Sequence, residues 1–148
     1  MRAAVSALSK RLMTVIAILA VGGIAVSSVS LQRHYAKSKT EFCDVGETFN
    51  CDIVNRSEYS KLFGIPVALI GMLGYGAIAG LATAYRSRVE TPARLFGLAV
   101  AGLAFALYLT YIEGFVLGTW CILCLGSLAL MAMIAILAAI VWQKREAN

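Results

Sequence analysis

The sequence predicts an all-α membrane protein, a bundle of four transmembrane helices with a cysteine-bearing extracytoplasmic loop between the first two. Of the 148 residues, 60% are hydrophobic and only 14% are charged, whereas soluble domains carry about 25% charged residues. Four apolar segments are each long enough to cross a bilayer core, which takes about 20 helical residues. These observations exclude a soluble domain, a disordered chain and a fibrous repeat, and they predict one membrane domain over residues 1–148.

The four predicted helices cover residues 12–31, 63–85, 95–117 and 120–142. The first also resembles a signal peptide, but its apolar stretch is longer than a usual signal core, which favours a retained helix. More Lys and Arg flank the side that holds both termini than lie in the loop of residues 32–62, where acidic residues balance them. Because cytoplasmic flanks are rich in Lys and Arg, both termini are predicted to be cytoplasmic, in the inner (cytoplasmic) membrane of the cell. The same rule explains the net charge of +5 without a nucleic-acid partner.

All four cysteines fall on the non-cytoplasmic side of this predicted topology. Cys43 and Cys51 lie in the loop of residues 32–62, whereas Cys121 and Cys124 begin the fourth helix. Disulfides persist on that side of the membrane because it is oxidising. The positions of the cysteines therefore indicate redox chemistry.

The sequence Cys121-x-x-Cys124 is predicted to stand at a helix start, with Thr119 as the N-cap. Unpaired backbone N–H groups and the helix dipole lower the pKa of a thiol there, and the thiolate is the reactive form. The nearby pair Cys43 and Cys51 suggests a relay by thiol–disulfide exchange, from the loop pair to the membrane pair. A dithiol that gives up electrons inside a membrane needs an apolar two-electron acceptor, and a quinone is the obvious one.

Other interpretations of these residues are open. Two structural disulfides would also account for four cysteines without catalysis. A zinc site with four cysteine ligands is disfavoured by the seven-residue gap between Cys43 and Cys51 and by the lack of a nearby histidine, so no metal is predicted. The one histidine, His34, is expected at the membrane interface, and Glu113 is expected to extend to the outer interface rather than serve in a proton path.

Several motifs resemble the vitamin K epoxide reductase family, and more closely its short bacterial homologues that drive disulfide formation. They are Phe-Cys-Asp-Val-Gly at 42–46, Cys51, Ser57, Leu-Phe-Gly-Ile-Pro-Val-Ala-Leu-Ile-Gly at 62–71 and Trp-Cys-Ile-Leu-Cys at 120–124. These pieces run from the first loop to the fourth helix, so the resemblance covers nearly the whole chain. Many bacterial homologues carry a fused thioredoxin-like domain, whereas this sequence stops six residues past Trp142, so the partner is expected to be a separate protein.

The resemblance implies a four-helix bundle that holds a quinone, of the ubiquinone or menaquinone type, near the C-x-x-C motif. It implies that Cys43 exchanges with the dithiol of a separate thioredoxin-fold thiol oxidase and that Cys51 forms a shuttle disulfide with Cys121. Cys124 would face the quinone, and Ser57 would be a supporting hydroxyl. The implied function is membrane thiol–disulfide oxidation in support of disulfide bond formation.

The resemblance also implies quinone contacts at Cys124, Phe63, Ser60 and Leu128, with two departures from the animal enzymes. Those enzymes have an Asn just before their Phe-Gly, where Ser60 stands here, and a Tyr four residues past the second cysteine of the motif, where Leu128 stands. Both departures make a simple quinone a better expected substrate than vitamin K epoxide. The alternatives are a vitamin K epoxide or quinone reductase and, from a different class, a structural four-span protein with inert disulfides.

Overall fold

The computed structural model describes residues 2–37, 42–46, 48–84 and 87–147. Three of the helices in these ranges are long and apolar enough to cross a membrane by length and composition: Ser6–Tyr35, Thr91–Leu117 and Ile122–Glu146. The predicted second span corresponds to a shorter apolar helix, Val67–Thr83. The mostly helical architecture and the three long apolar helices are those of an α-helical membrane protein, and the count of four spans stays a prediction.

The elements follow one another along the chain as α1 Arg2–Tyr35, β1 Asp44–Val45, β2 Phe49–Asn50, α2 Cys51–Arg56, β3 Lys61–Leu62, β4 Ile65–Pro66, α3 Val67–Thr83, α4 Thr91–Tyr111 and α5 Ile122–Glu146. A 3-10 turn, Glu58–Ser60, leads from α2 into β3, and a π-helical turn, Ile112–Leu117, extends α4. The strands form two small antiparallel hairpins, β1–β2 and β3–β4. Both hairpins and α2 lie between α1 and α3, so the loop predicted at residues 32–62 has secondary structure of its own.

The helix α3 begins four residues later than the predicted segment 63–85. Proline has no backbone N–H and disfavours helical geometry in the residue before it, so Pro66 forces Ile65 into a strand and α3 starts at Val67. Phe63 and Gly64 form the tight turn of the β3–β4 hairpin, both with positive φ angles. Tyr85, the last residue of the predicted segment, lies outside the described residues.

The bounds of the other helices differ from the predicted segments as well, and one predicted cap is wrong. The helix α1 is longer than residues 12–31 at both ends, and α4 starts at Thr91, directly before Pro92. The helix α5 starts at Ile122, and Cys121 rather than Thr119 occupies its N-cap position. The cause is a tertiary contact. Trp120, which lies between Thr119 and Cys121, forms an extended backbone bridge to strand β2 and therefore cannot be helical.

One buried core receives residues from each of the helices α1, α3, α4 and α5. Its buried residues are Met13, Ile16, Ala20, Tyr75, Ile78, Ala82, Leu95, Ala99, Met131, Ile134, Ala135, Ala138 and Val141. The only aromatic ring among them belongs to Tyr75, whose hydroxyl donates to the backbone oxygen of Ser127 at 2.8 Å. The ring lies directly against Gly23 of α1, where a Cβ atom would overlap it. Glycine at this position therefore allows α1 and α3 to pack closely.

We expect Gly23→Ala to destabilise the bundle by about 1–3 kcal/mol, because the added methyl overlaps a buried ring that its hydrogen bond to α5 holds in place. The neighbouring Gly22→Ala is the matched control, since its Cβ atom would meet only Leu130 Cδ1 at 3.9 Å. Alanine favours helix over glycine by about 1 kcal/mol, so Gly22→Ala should be neutral or stabilising. Thermal unfolding of both variants in detergent measures the difference, and equal Tm values would contradict the close packing.

Candidate redox site

A second buried cluster, separate from the helix core, consists of Cys43, Cys51, Val54 and Cys121. Cys43 precedes β1 and Cys51 follows β2, so the hairpin brings the two residues together with a Cα–Cα distance of 5.6 Å. They form a disulfide, whereas Cys121 and Cys124 are free thiols. The hairpin turn contains Gly46 at φ 75°, a backbone conformation that glycine adopts without strain.

Two backbone hydrogen bonds attach this hairpin to the segment that precedes α5. The N–H of Asn50 donates to the oxygen of Trp120 at 3.0 Å, and the N–H of Trp120 donates to the oxygen of Thr48 at 2.9 Å. Cys51 and Cys121 each come one residue after this bridge. As a result, the Sγ atoms of Cys43, Cys51 and Cys121 all lie within 4.8 Å of one another. Because two of the three sulfur atoms are already joined, the arrangement suits disulfide exchange with the third.

Cys121 stands at the N-cap of α5, where its thiolate is favoured. Its pKa is lowered from the usual value, chiefly by the hydrogen bond with the Cys124 thiol, while burial and the charge of Glu113 oppose the shift. Backbone N–H groups of Leu123 and Cys124 also contribute to the lowering. Cys121 is thus the N-cap of α5 rather than a residue of its first turn, and the reactivity of its thiol stays a prediction.

The sequence arguments missed Asn55 as a site residue. It is 6% exposed, and its side-chain amide donates to the Cys51 oxygen at 2.9 Å and to the Cys121 Sγ atom at 3.8 Å. One side chain thus contacts both of the cysteines that are expected to exchange. His34 supports this arrangement from the end of α1, because its Nδ1 atom donates to the backbone oxygen of Asn55. The expectation that His34 lies at the membrane interface stays a prediction.

Glu113 lies inside the site, so the expectation that it extends to the outer interface is wrong. It is 1% exposed, and its Oε2 atom accepts a hydrogen bond from the Cys121 N–H at 3.1 Å. The carboxylate also interacts with the Cys124 thiol. The π-helical turn and Gly118, which ends the turn at φ 65°, direct the chain back so that the Thr119 N–H donates to the Glu113 backbone oxygen. Tertiary folding rather than helix periodicity places this side chain.

A cavity of about 280 Å³ lies between α1, α3, α4 and α5, and Cys124 is one of the residues that line it. Most of its lining is apolar, including Val26, Ile78, Leu98, Phe105 and Met131. A cavity of this size and polarity suits a small apolar ligand with few polar atoms.

The structure brings some of the predicted quinone contacts together and leaves others apart. Ser57 and Ser60 line a second, smaller cavity together with Glu113 and Cys124. Phe63 is 96% exposed at the hairpin turn. Phe63 and Leu128 line neither of these two cavities, so their geometry gives no support to a direct role in quinone binding.

The fold and the site together define a class: a helical membrane protein with a disulfide next to a free cysteine pair, as in membrane oxidoreductases that act on thiols. The sequence matches the vitamin K epoxide reductase family over residues 14–139, and the chain belongs to this family. The resemblance found in the motifs is confirmed. The family supports a membrane oxidoreductase with quinone-related thiol chemistry.

We expect Asn55→Asp to raise the pKa of the Cys121 thiol, because a second negative charge disfavours the thiolate and a donor to its sulfur is lost. Thiolate absorbance against pH measures this in a Cys124→Ser background, in which Cys121 is the only free thiol. Asn50→Asp is the matched control, because Asp caps α2 as well as Asn does and the Asn50 side chain contacts Ile53 N instead of a sulfur atom. Equal shifts in both variants would contradict the role of Asn55.

Proposed function

We propose that this protein is a quinone-dependent thiol–disulfide oxidoreductase that reoxidises a separate thioredoxin-fold thiol oxidase and so supports disulfide bond formation. One observation carries the proposal. The sulfur atoms of the Cys43–Cys51 disulfide lie within 4.8 Å of Cys121 Sγ, while Cys124, in the same C-x-x-C motif, bounds the apolar cavity. The four cysteines thus form a continuous path from the loop to the cavity.

Thiol–disulfide exchange can follow this path with electrons in balance. A thiolate of the partner attacks Cys43, the Cys43–Cys51 bond breaks, and the second partner thiol closes the partner's own disulfide. The freed Cys51 thiolate then attacks Cys121 of an inner Cys121–Cys124 disulfide. This attack forms a Cys51–Cys121 disulfide and releases the Cys124 thiolate. The Cys43 thiolate, which the partner released, then attacks Cys51, breaks the Cys51–Cys121 bond and restores the Cys43–Cys51 disulfide, so the inner pair is left as two thiols. This last state is the one that the structure describes, with an outer disulfide and an inner dithiol.

The inner dithiol needs an acceptor of two electrons and two protons, and a quinone of the ubiquinone or menaquinone type supplies that chemistry. The residues present fit such a group, because the cavity next to Cys124 is apolar and bounded by membrane-spanning helices. Vitamin K epoxide is a less suitable substrate, because Ser60 and Leu128 stand where the animal enzymes have an amide and a phenol. Neither side chain lines the large cavity.

We further propose that α3 crosses the membrane as a fourth span, with both termini in the cytoplasm and the cysteines on the extracytoplasmic side of the inner membrane. The helix has 17 residues, at the lower end of the length that spans a bilayer core. It also packs against α1, a long apolar helix, through the close contact at Gly23. The excess of Lys and Arg on the side of the termini supports the orientation.

A labelling experiment tests this topology through the ends of α1 and α3. In a cysteine-free background, we expect Lys37→Cys to react with a membrane-impermeant maleimide in intact cells and Ser87→Cys to react only after permeabilisation. Both positions are exposed in the structure, so burial does not protect either thiol. If both positions were labelled in intact cells, α3 would not cross the membrane.

Quinone reduction by the purified protein in detergent tests the redox function, with a reduced thioredoxin-fold dithiol protein as the donor. We expect Cys124→Ala and Cys43→Ala each to abolish turnover with this donor, because each variant breaks the path at one end. Dithiothreitol should restore turnover to Cys43→Ala only, since a small dithiol can reduce the inner pair directly. Equal inactivity of the wild type and both variants with several quinones would favour inert structural disulfides instead.

A further inference from the structure

Glu113 is the part of the site that the cysteine relay does not use. The side chain is 1% exposed, and its Oε1 atom has no hydrogen-bond partner within the described part of the chain. Burial of an unpaired polar atom is costly, so such an atom in a functional site calls for an explanation. Its hydrogen bond from the Cys121 N–H accounts for Oε2 alone.

The surroundings of Glu113 connect it with the reacting sulfur. Its carboxylate interacts with the Cys124 thiol, and both side chains line the smaller cavity. Cys124 lines the large apolar cavity as well, so this residue borders both spaces. Of the residues that line these two cavities, Glu113 is the only one with a carboxyl group.

Oxidation of the inner pair requires a carrier for protons in this setting. Two S–H bonds break, the Cys121–Cys124 disulfide forms, and the acceptor gains two electrons and two protons. Apolar side chains that line most of the large cavity cannot accept or donate a proton. The protons that leave the sulfur atoms equal in number those that the acceptor takes up, so a single group that moves protons between them completes the balance.

We propose that Glu113 is this proton carrier, a catalytic residue whose carboxylate accepts the proton of the Cys124 thiol and then that of the Cys121 thiol, and passes each to an oxygen of the bound quinone. The inference rests on the proposed quinone reduction and adds a residue to it. Glu113 returns to its starting protonation state after each transfer, so no proton is gained or lost in the whole reaction. Its hydrogen bond to the Cys121 N–H keeps the carboxylate beside the C-x-x-C motif.

The variant Glu113→Gln separates this role from a structural one. Glutamine has the same shape and keeps an oxygen that can accept from the Cys121 N–H, but it cannot carry a proton. We expect quinol formation from the pre-reduced protein to slow by about 100-fold or more, as for the loss of a general acid–base group. Glu113→Asp keeps a carboxyl group and should recover part of the rate. Glu90→Gln, a change at an exposed glutamate that pairs with Arg94, is the control.

Thiol exchange without quinone is measured in parallel by trapping free thiols with a maleimide. The dithiol donor should reduce the outer disulfide of the Glu113→Gln variant as fast as that of the wild type. The proposal is overturned if Glu113→Gln forms quinol at the wild-type rate, or if Glu113→Gln and Glu113→Asp slow exchange and quinol formation equally. The latter result would show a structural role.

Infrared difference spectra of the quinone-free protein, oxidised against reduced, provide a readout that does not depend on turnover. We expect a carboxyl C=O band that disappears in Glu113→Gln and persists in Glu90→Gln. A spectrum without this band overturns the inference. If the wild type reduces no quinone but shows the band, the proposed function fails while the proton exchange of Glu113 with the thiols stands.

Discussion

The redox site depends on the short backbone bridge between the β1–β2 hairpin and the segment before α5. Its two hydrogen bonds join Thr48 and Asn50 to Trp120, and the cysteines follow directly on both sides. The indole of Trp120 packs on Gly114, where a Cβ atom would lie 2.7 Å from the ring, so a side chain at Gly114 would displace it. This bridge holds the two cysteine pairs, which are far apart in the sequence, next to each other in the fold.

The same bridge determines the local structure of the C-x-x-C motif. An extended Trp120 cannot be part of a helix, so α5 starts only after Cys121, which occupies the N-cap position next to the first free N–H groups of the helix. The carboxylate of Glu113 takes up one further N–H, that of Cys121 itself. Reactivity of the thiol therefore follows from where the helix is forced to begin.

Local features of the chain allowed much of this to be predicted from sequence. The long apolar runs predicted the helices. The spacing of the four cysteines, together with the other motifs, predicted the redox site and the family. The contributions of Asn55 and Glu113 could not be found in this way, because each acts on a cysteine through the folding of distant segments. The signal for Glu113 was a lone acidic residue inside an apolar run, which fits a snorkelling side chain equally well. Pro66 was visible in the sequence, and it should have shortened the second predicted helix.

Cys124 borders both the large apolar cavity and the smaller cavity, and the proposed chemistry needs an apolar environment on one side and polar groups on the other. An apolar acceptor requires a dry cavity, and the lining of the large cavity meets this need. Proton transfer requires polar groups, and these stand in the smaller cavity, where Ser57, Ser60 and Glu113 lie on the other side of the sulfur. Because Ser57, Ser60 and Glu113 line only the smaller cavity, a ligand in the large cavity need not desolvate them, and the mostly apolar lining of the large cavity keeps its affinity for a ring. In the proposed reaction, electrons and protons then reach the same acceptor from the thiol of Cys124, which borders both cavities.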